Sequence, residues 1–311
     1  MRISGIVAAA ALSLLSFHAQ ADTAKAWTAA KAGLPGDAKL VVGVDVAAIQ
    51  KTQLFATFYP KLRDKPEITE TLTILKDACK LDPLTVIQGA VIALTSDQED
   101  GAVYVALANF DRAKLASCLS RAHQAKKDDA SYSLKQDGNI TQITKGDEST
   151  FLGWIGKDVL VVSLHAQDKP SLVKWMGGKG GLARSTLGKA LTKVNTSAAL
   201  WGAGDGDKEL QPGVTAKQVY GAVTYTGGAL DADVHAVLPS AADAAAFATT
   251  ATKQIGEAAQ GGAGVPPAVL AMVKAVKISS ANDEVVVKAH IVEQDLLGVI
   301  AMAIGGNAGN P

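Results

Sequence analysis

The stretch "ALDADVHAVLP" limits the possible folds of this chain more than any other. Leu230, Ala232, Val234 and Ala236 alternate with Asp231, Asp233 and His235. A period of two marks a strand with one face on a core and the other in water. Half-buried strands of this kind belong to antiparallel sheets that carry helices on one side, so the pattern predicts an α+β fold.

The remaining periodic segments fall into an order that occurs twice. A first helix is expected at 24–32, and Pro35-Gly36 turns the chain into a strand at 40–44. Helical spacing follows at 46–59 and 66–79, the second opening on Pro66, a residue suited to a first turn. "VIQGAVIALTS" and "AVYVALANF" read as a hairpin. Asp111 caps a helix carrying Leu115, Cys118 and Leu119, and "YSLKQ", "NITQITK" and "DVLVVSLHA" complete the set. After the glycine-rich "WMGGKGGLARS" the order returns. "STLGKALTKV" is helical, "NTSAALWGAGD" leads into a strand, and "KQVYGAVTYTGG" with "ALDADVHAVLP" forms a hairpin. "SAADAAAFATTATKQI" is a capped helix, and "VKAVKISSAN" with "DEVVVKAHIVEQ" closes the sheet. The expectation is two tandem α+β units, at 22–176 and 185–305, joined by a Gly-rich linker at 177–184 and followed by a flexible tail at 306–311. Each unit reads β-α-β-β-α-β in ferredoxin-like order with one added strand, helices on one face only. The second lacks a clear first crossover helix, since Lys208 to Thr215 contains Pro212; a loop there would leave a plainer meander.

The N-terminus adds a destination. Arg2, an apolar run from Ile6 to Phe17 and the small-x-small triplet Ala19-Gln20-Ala21 form an export signal at 1–21, with cleavage expected after Ala21. That run and the C-terminal one from Leu296 to Ile304 fall short of the ~20 residues that span a bilayer, so no membrane span is expected and the protein is placed in the periplasm or outside the cell. The 30 basic residues balance the 30 acidic ones without clustering. Nucleic acid binding and attachment to an anionic membrane are therefore not expected.

Of the residues that invite chemistry, two are assigned a role, and it is structural. Cys79 and Cys118 are the chain's 2 cysteines, each at a core-facing position of a helical pattern, and an even count in an exported chain predicts a disulfide. Lys179 among four glycines resembles a phosphate loop, but the preceding element is a helix and the following residue is Gly180 instead of Ser or Thr. "SLVK" at Ser171 to Lys174, "KGG" at Lys179 to Gly181 and "SAN" at Ser280 to Asn282 imitate penicillin-binding motifs in the wrong order. Asp205, Asp207 and Glu209 alternate like a calcium loop without its distant glutamate and read as a solvated acidic turn. His123, His165, His235 and His290 show no ligand spacing; in the ferredoxin-like order His235 lies centrally and His290 on a remote edge strand. No catalytic residue, metal or cofactor is assigned.

The opening "LPGDAKLVVGVDV" and the doubled layout resemble uncharacterised secreted bacterial families whose units begin with a Pro-x-Asp segment entering a first strand. The resemblance implies the fold and brings no active residue. The function expected is that of a non-enzymatic scaffold or protein-binding module, with an unknown protein of the cell envelope as partner. The alternatives are a carrier of a lipid or other apolar ligand in a cavity lined by Ala and Gly, and a hydrolase whose site is built from scattered residues.

Overall fold

The computed structural model describes residues 21–95, 101–108, 110, 114, 117–118, 121, 132–145, 148–164, 169–211, 213–260 and 265–305. All of the expected export signal except Ala21 lies outside the described residues, as do the tail at 306–311, His123 and His165. The fold is α+β with antiparallel sheets, as the strand periodicity predicts. Packing divides the chain into two compact units. The first runs to Ala47 and resumes from Lys61 to Gly188; the second combines Ala48–Pro60 with the chain from Lys189 onward. Among the described residues no helix is long and apolar enough to cross a membrane.

In the first unit α1 (Ala21–Gly33) leads into β1 (Leu40–Asp45). Along the chain four helices follow: α2 (Val46–Ile49) and α3 (Gln53–Arg63), whose residues Ala48–Pro60 belong to the second unit, then α4 (Pro66–Cys79) and α5 (Pro83–Val86). The chain then makes β2 (Ile87–Leu94) and β3 (Gly101–Leu107), passes through helical residues Lys114, Ser117, Cys118 and Arg121, and forms β4 (Tyr132–Asp137), β5 (Ile140–Lys145), β6 (Glu148–Ile155) and β7 (Val159–Leu164) before α6 (Lys169–Met176). The strand order is β1-β2-β3-β7-β6-β5-β4, antiparallel at every pair.

This order corrects the ferredoxin-like expectation. That arrangement would require the helices after β1 to bury a face on the sheet and return the chain as a parallel crossover. No residue of α2, α3 or α5 is buried, so the helices are an excursion and β2 comes back antiparallel beside β1. The core lies on one face, where Val41, Val91, Ala93, Ala102, Tyr104 and Val161 are completely buried. Ala26 and Ala30 of α1 and Leu172 and Trp175 of α6 are buried with them, and both helices contact this sheet. Their approach is close: a Cβ at Gly89 would overlap Thr23, and one at Gly153 would overlap Met176. The Tyr104 hydroxyl donates to the Trp175 carbonyl at 3.3 Å, and burial pushes its pKa well above the usual phenol value.

Cys79, ending α4, is disulfide-bonded to Cys118 with Cα atoms 4.5 Å apart. The glycine stretch expected to be a flexible linker is instead packed into the first unit. Gly180 N–H donates to the Ala32 carbonyl at 2.7 Å and Leu182 N–H to the Leu34 carbonyl at 3.1 Å. Leu182 is fully buried, and a Cβ on Gly180 would collide with the Leu34 carbonyl. Gly180 and Gly181 therefore serve close backbone approach, whereas Gly178 takes the left-handed φ of 66° in open space. Lys179 is exposed between them.

In the second unit α7 (Thr186–Leu191) precedes β8 (Leu200–Gln211), β9 (Val214–Thr226) and β10 (Ala229–Val237). Helices α8 (Ala241–Gln260) and α9 (Pro267–Ala275), strands β11 (Val276–Ala281) and β12 (Glu284–Val292), and α10 (Glu293–Gly305) follow. The order β8-β9-β10-β12-β11 is antiparallel throughout. Val219, Ala236, Ile278, Val285 and Val287 pack with Ala244 and Phe247 of α8. Asp205, Asp207 and Glu209 belong to β8, so the expected acidic turn is a bulged strand, with the register shift after Asp205 and Gly206 at φ 115°. In the first unit the last strand, β7, lies beside β3, and in the second the last strand, β12, lies beside β10.

Three variants test this packing. Replacing both Cys79 and Cys118 with alanine opens a loop with a sequence separation of 39, and chain entropy puts the loss at about 4 kcal/mol in a denaturant titration. Gly180→Ala is expected to cost more than about 2 kcal/mol because backbone must shift, whereas Lys179→Ala stays within about 0.5 kcal/mol of the parent.

Candidate functional site

The polar side of the second sheet is the densest cluster of interacting charged groups among the described residues. Alternation along β10 puts Asp231, Asp233 and His235 on the face opposite the one that Ala236 turns toward α8. Register then chooses their neighbours: His290 lies across from Asp231, Lys288 from Asp233, and Tyr220 of β9 from His235. His290 Nδ1 is 2.7 Å from Asp231 Oδ1, and Lys288 Nζ is 3.5 Å from Asp233 Oδ2.

One end of this face is a connected network. Lys193 Nζ donates to Glu284 Oε1 at 2.6 Å and to the Tyr220 hydroxyl at 3.3 Å, and that hydroxyl donates to Glu284 Oε2 at 2.8 Å. His235 stacks on Tyr220 with ring centroids 4.8 Å apart. Its Nε2 is 3.1 Å from Asp233 Oδ1, and its Nδ1 lies 3.4 Å from Glu284 Oε2 without hydrogen-bond geometry. Burial works to raise the Glu284 pKa, but hydrogen bonds from Lys193 and Tyr220, with the Lys193 charge, hold it below the usual carboxylate value. The bond to Glu284, then that to Tyr220, raise Lys193. Burial, then the bond to Glu284, raise Tyr220, which stays a neutral donor and is not an activated phenolate.

Beside the network, Asn195, Thr224, Asp231, Asp233, Lys277, Lys288 and His290 line a cavity of about 440 Å³ with Ala222 and Ala275. At the other end of β12, Glu293 is only 1% exposed yet fully engaged. Its Oε1 accepts the Leu54 N–H at 2.6 Å, at the start of α3, and its Oε2 accepts the Tyr225 hydroxyl at 2.9 Å. Thr52 Oγ1 accepts the Phe55 N–H at 3.0 Å, so the first turn of α3 is capped by a local hydroxyl and a distant carboxylate.

The residues weighed from sequence have these places. His235 and His290, expected far apart, sit on adjacent strands and one face, because β12 pairs with β10 directly. Among the described residues no group of three His, Cys, Asp or Glu is placed to hold a metal. Asp205 accepts a hydrogen bond from Gln218, and Glu209 accepts one from the Gly213 N–H at 3.2 Å. Ser171 lies in the first unit and Ser280 in the second. Ser280 and Asn282 flank the β11–β12 turn, where Asn282 takes the left-handed φ of 54° that asparagine tolerates. Sequence reading missed Lys193, Tyr220, Glu284 and Glu293. The even spacing of Glu284, Lys288 and His290 was a signal for a polar face, but nothing local brings Lys193 or Leu54 to it.

Two substitutions test these couplings. Glu284→Gln is expected to cost about 1 kcal/mol at neutral pH, a value reduced by solvent at the Lys193 end. Because the folded Glu284 pKa is depressed, its contribution is complete above the unfolded value of about 4.3 and disappears as pH falls through the folded one. Lys193 is raised, so its share is complete below about 10.4 and is lost as pH rises through its folded pKa. Parent and variant stabilities should therefore converge in acid. Glu293→Ala is expected to cost about 1–2 kcal/mol in denaturant unfolding, since it leaves two part-buried donors, the Leu54 N–H and the Tyr225 hydroxyl, without their acceptor.

No protein-family model matches the chain, and no curated protein matches it. Among solved structures it is similar to TP0453. Crystal form IV of that protein gives a TM-score of 0.52 at 10% identity, covering 88% of this chain and 96% of that one. Crystal form III gives 0.49 at 10% identity, covering 88% and 97%. The likeness to form IV is one of fold.

Proposed function

We propose that this chain is an exported, non-enzymatic protein that works as a scaffold or protein-binding module and presents the polar face of its second sheet to its partner. The observation that carries the reading is the state of the charged groups there. Asp231, Asp233, Glu284 and Lys193 are engaged in ion pairs and hydrogen bonds around a solvent-accessible cavity, and Tyr220 is kept protonated. Such a face offers shape and charge complementarity to a partner. A nucleophile would instead need a base positioned to activate it. The disulfide and the N-terminal export pattern support an oxidising destination. The carrier reading is weaker because two cavities of the second unit, this one and another of about 200 Å³ beside α8, have polar groups in their walls.

A photo-crosslinking residue at Thr224, introduced in the producing organism, is the direct test. A discrete protein adduct at Thr224 that weakens in Asp231→Lys supports the module. Co-purified lipid in native mass spectrometry, with no protein adduct, would replace it with the carrier.

A further inference from the structure

Two cross-strand rows build the cavity on β9, β10, β12 and β11. One row is Thr224, Asp231 and His290; the other is Ala222, Asp233, Lys288 and Lys277. Ala222 on β9 and Ala275, just before β11, contribute small side chains to the lining, and Asn195, from the connection between α7 and β8, joins the wall. Its volume of about 440 Å³ falls within the range of small-ligand sites.

The charges along the second row are not balanced. Lys277 and Lys288 are direct cross-strand partners, and like charges in that relation oppose each other. Lys288 is offset by Asp233, which also serves His235. Among the described residues Lys277 has no ion-pair partner. Asp231 is likewise taken up by His290. The carboxylates of the cavity are thus committed, and the groups left to meet a ligand are the Lys277 ammonium, the Lys288 ammonium beyond its 3.5 Å contact with Asp233, the Asn195 amide N–H and the Thr224 hydroxyl.

We infer that the cavity binds a small carboxylate-bearing ligand, with Lys277 and Lys288 holding the carboxylate and Asn195 and Thr224 supplying hydrogen bonds. The inference rests on the polar face being a recognition surface and adds the chemistry recognised there. A carboxylate between the two ammonium groups turns an opposed pair into a charge-assisted clamp. Asp231 and Asp233 stand on the far side of β12 and disfavour a ligand carrying a second negative charge toward β10.

The test uses the full exported chain and calorimetric titration with monomethyl succinate, its uncharged dimethyl ester, and inorganic phosphate. Expected are saturable binding of the monoester, at least tenfold weaker binding of the diester, and weakening of monoester binding by salt. Lys277→Ala should lower monoester affinity at least tenfold. Lys277→Arg should keep it within about threefold, and Lys253→Ala, on the exposed side of α8, should leave it unchanged. Circular dichroism verifies folding of each variant. Equal affinity of parent and folded Lys277→Ala, equal binding of the diester, or phosphate binding as tight as the monoester would overturn the inference, as would no monoester binding at all. If the Thr224 crosslink to a protein persists while the monoester fails, the recognition surface stands and only its carboxylate chemistry falls; loss of both removes the two together.

Discussion

The register of β10 against β12 is the constraint on which the second unit depends. Asp231 opposes His290 and Asp233 opposes Lys288, while Ala236 opposes Val285 on the side of α8. A slip of one residue would turn every side chain of the moved strand over. Asp231, Asp233 and His235 would enter the alanine and valine layer under α8, and the cost of burying them unpaired exceeds what any single contact on the polar face returns. Register, core and candidate site are therefore one decision. The polar network has to be understood as a product of the apolar packing behind it.

The same logic orders the first unit, where small residues set how closely helices lie on the sheet. Gly89 accommodates Thr23 of α1, and Gly153 accommodates Met176 of α6. The glycine segment after α6 continues this role, with Gly180 pressed on Leu34 and Leu182 buried behind it. Abundant alanine and glycine in this chain do not signal looseness. Gly89 and Gly153 make room for helix side chains and Gly180 for backbone, and the aromatic Tyr104 and Trp175 are buried among them.

Much of the element order was legible in the sequence. Apolar alternation located β1, β2, β3 and β10, Pro66 marked the start of α4, and the cysteine count led to the bond between Cys79 and Cys118. Strand pairing was not legible, because periodicity says which face a residue takes and nothing about which strand lies alongside. The helices between β1 and β2 looked like a crossover, but β2 returns antiparallel beside β1, and no residue of α2, α3 or α5 is buried. β6 was missed because Gly153 interrupts its pattern. α9 begins on Pro266-Pro267 without a side-chain cap, and α10 grows straight out of β12, so neither had a punctuating signal. The site was the least legible part: its aspartates and histidines were visible, but Lys193, Tyr220 and Glu284 meet through pairing that no local pattern encodes.

The carboxylate of Glu293 also has a consequence for how the chain comes to be folded during synthesis. It caps Leu54 across a sequence separation of 239, and Ala48–Pro60 belongs to the second unit although it is made near the beginning. At ribosomal rates of about 5–20 residues per second, that segment waits on the order of ten seconds or more for the rest of its unit to emerge. Throughout this interval the first turn of α3 has only Thr52 to satisfy it. The second unit thus cannot mature as an autonomous late product. It must recover an early piece of chain, and the final helix supplies the residue that fastens it.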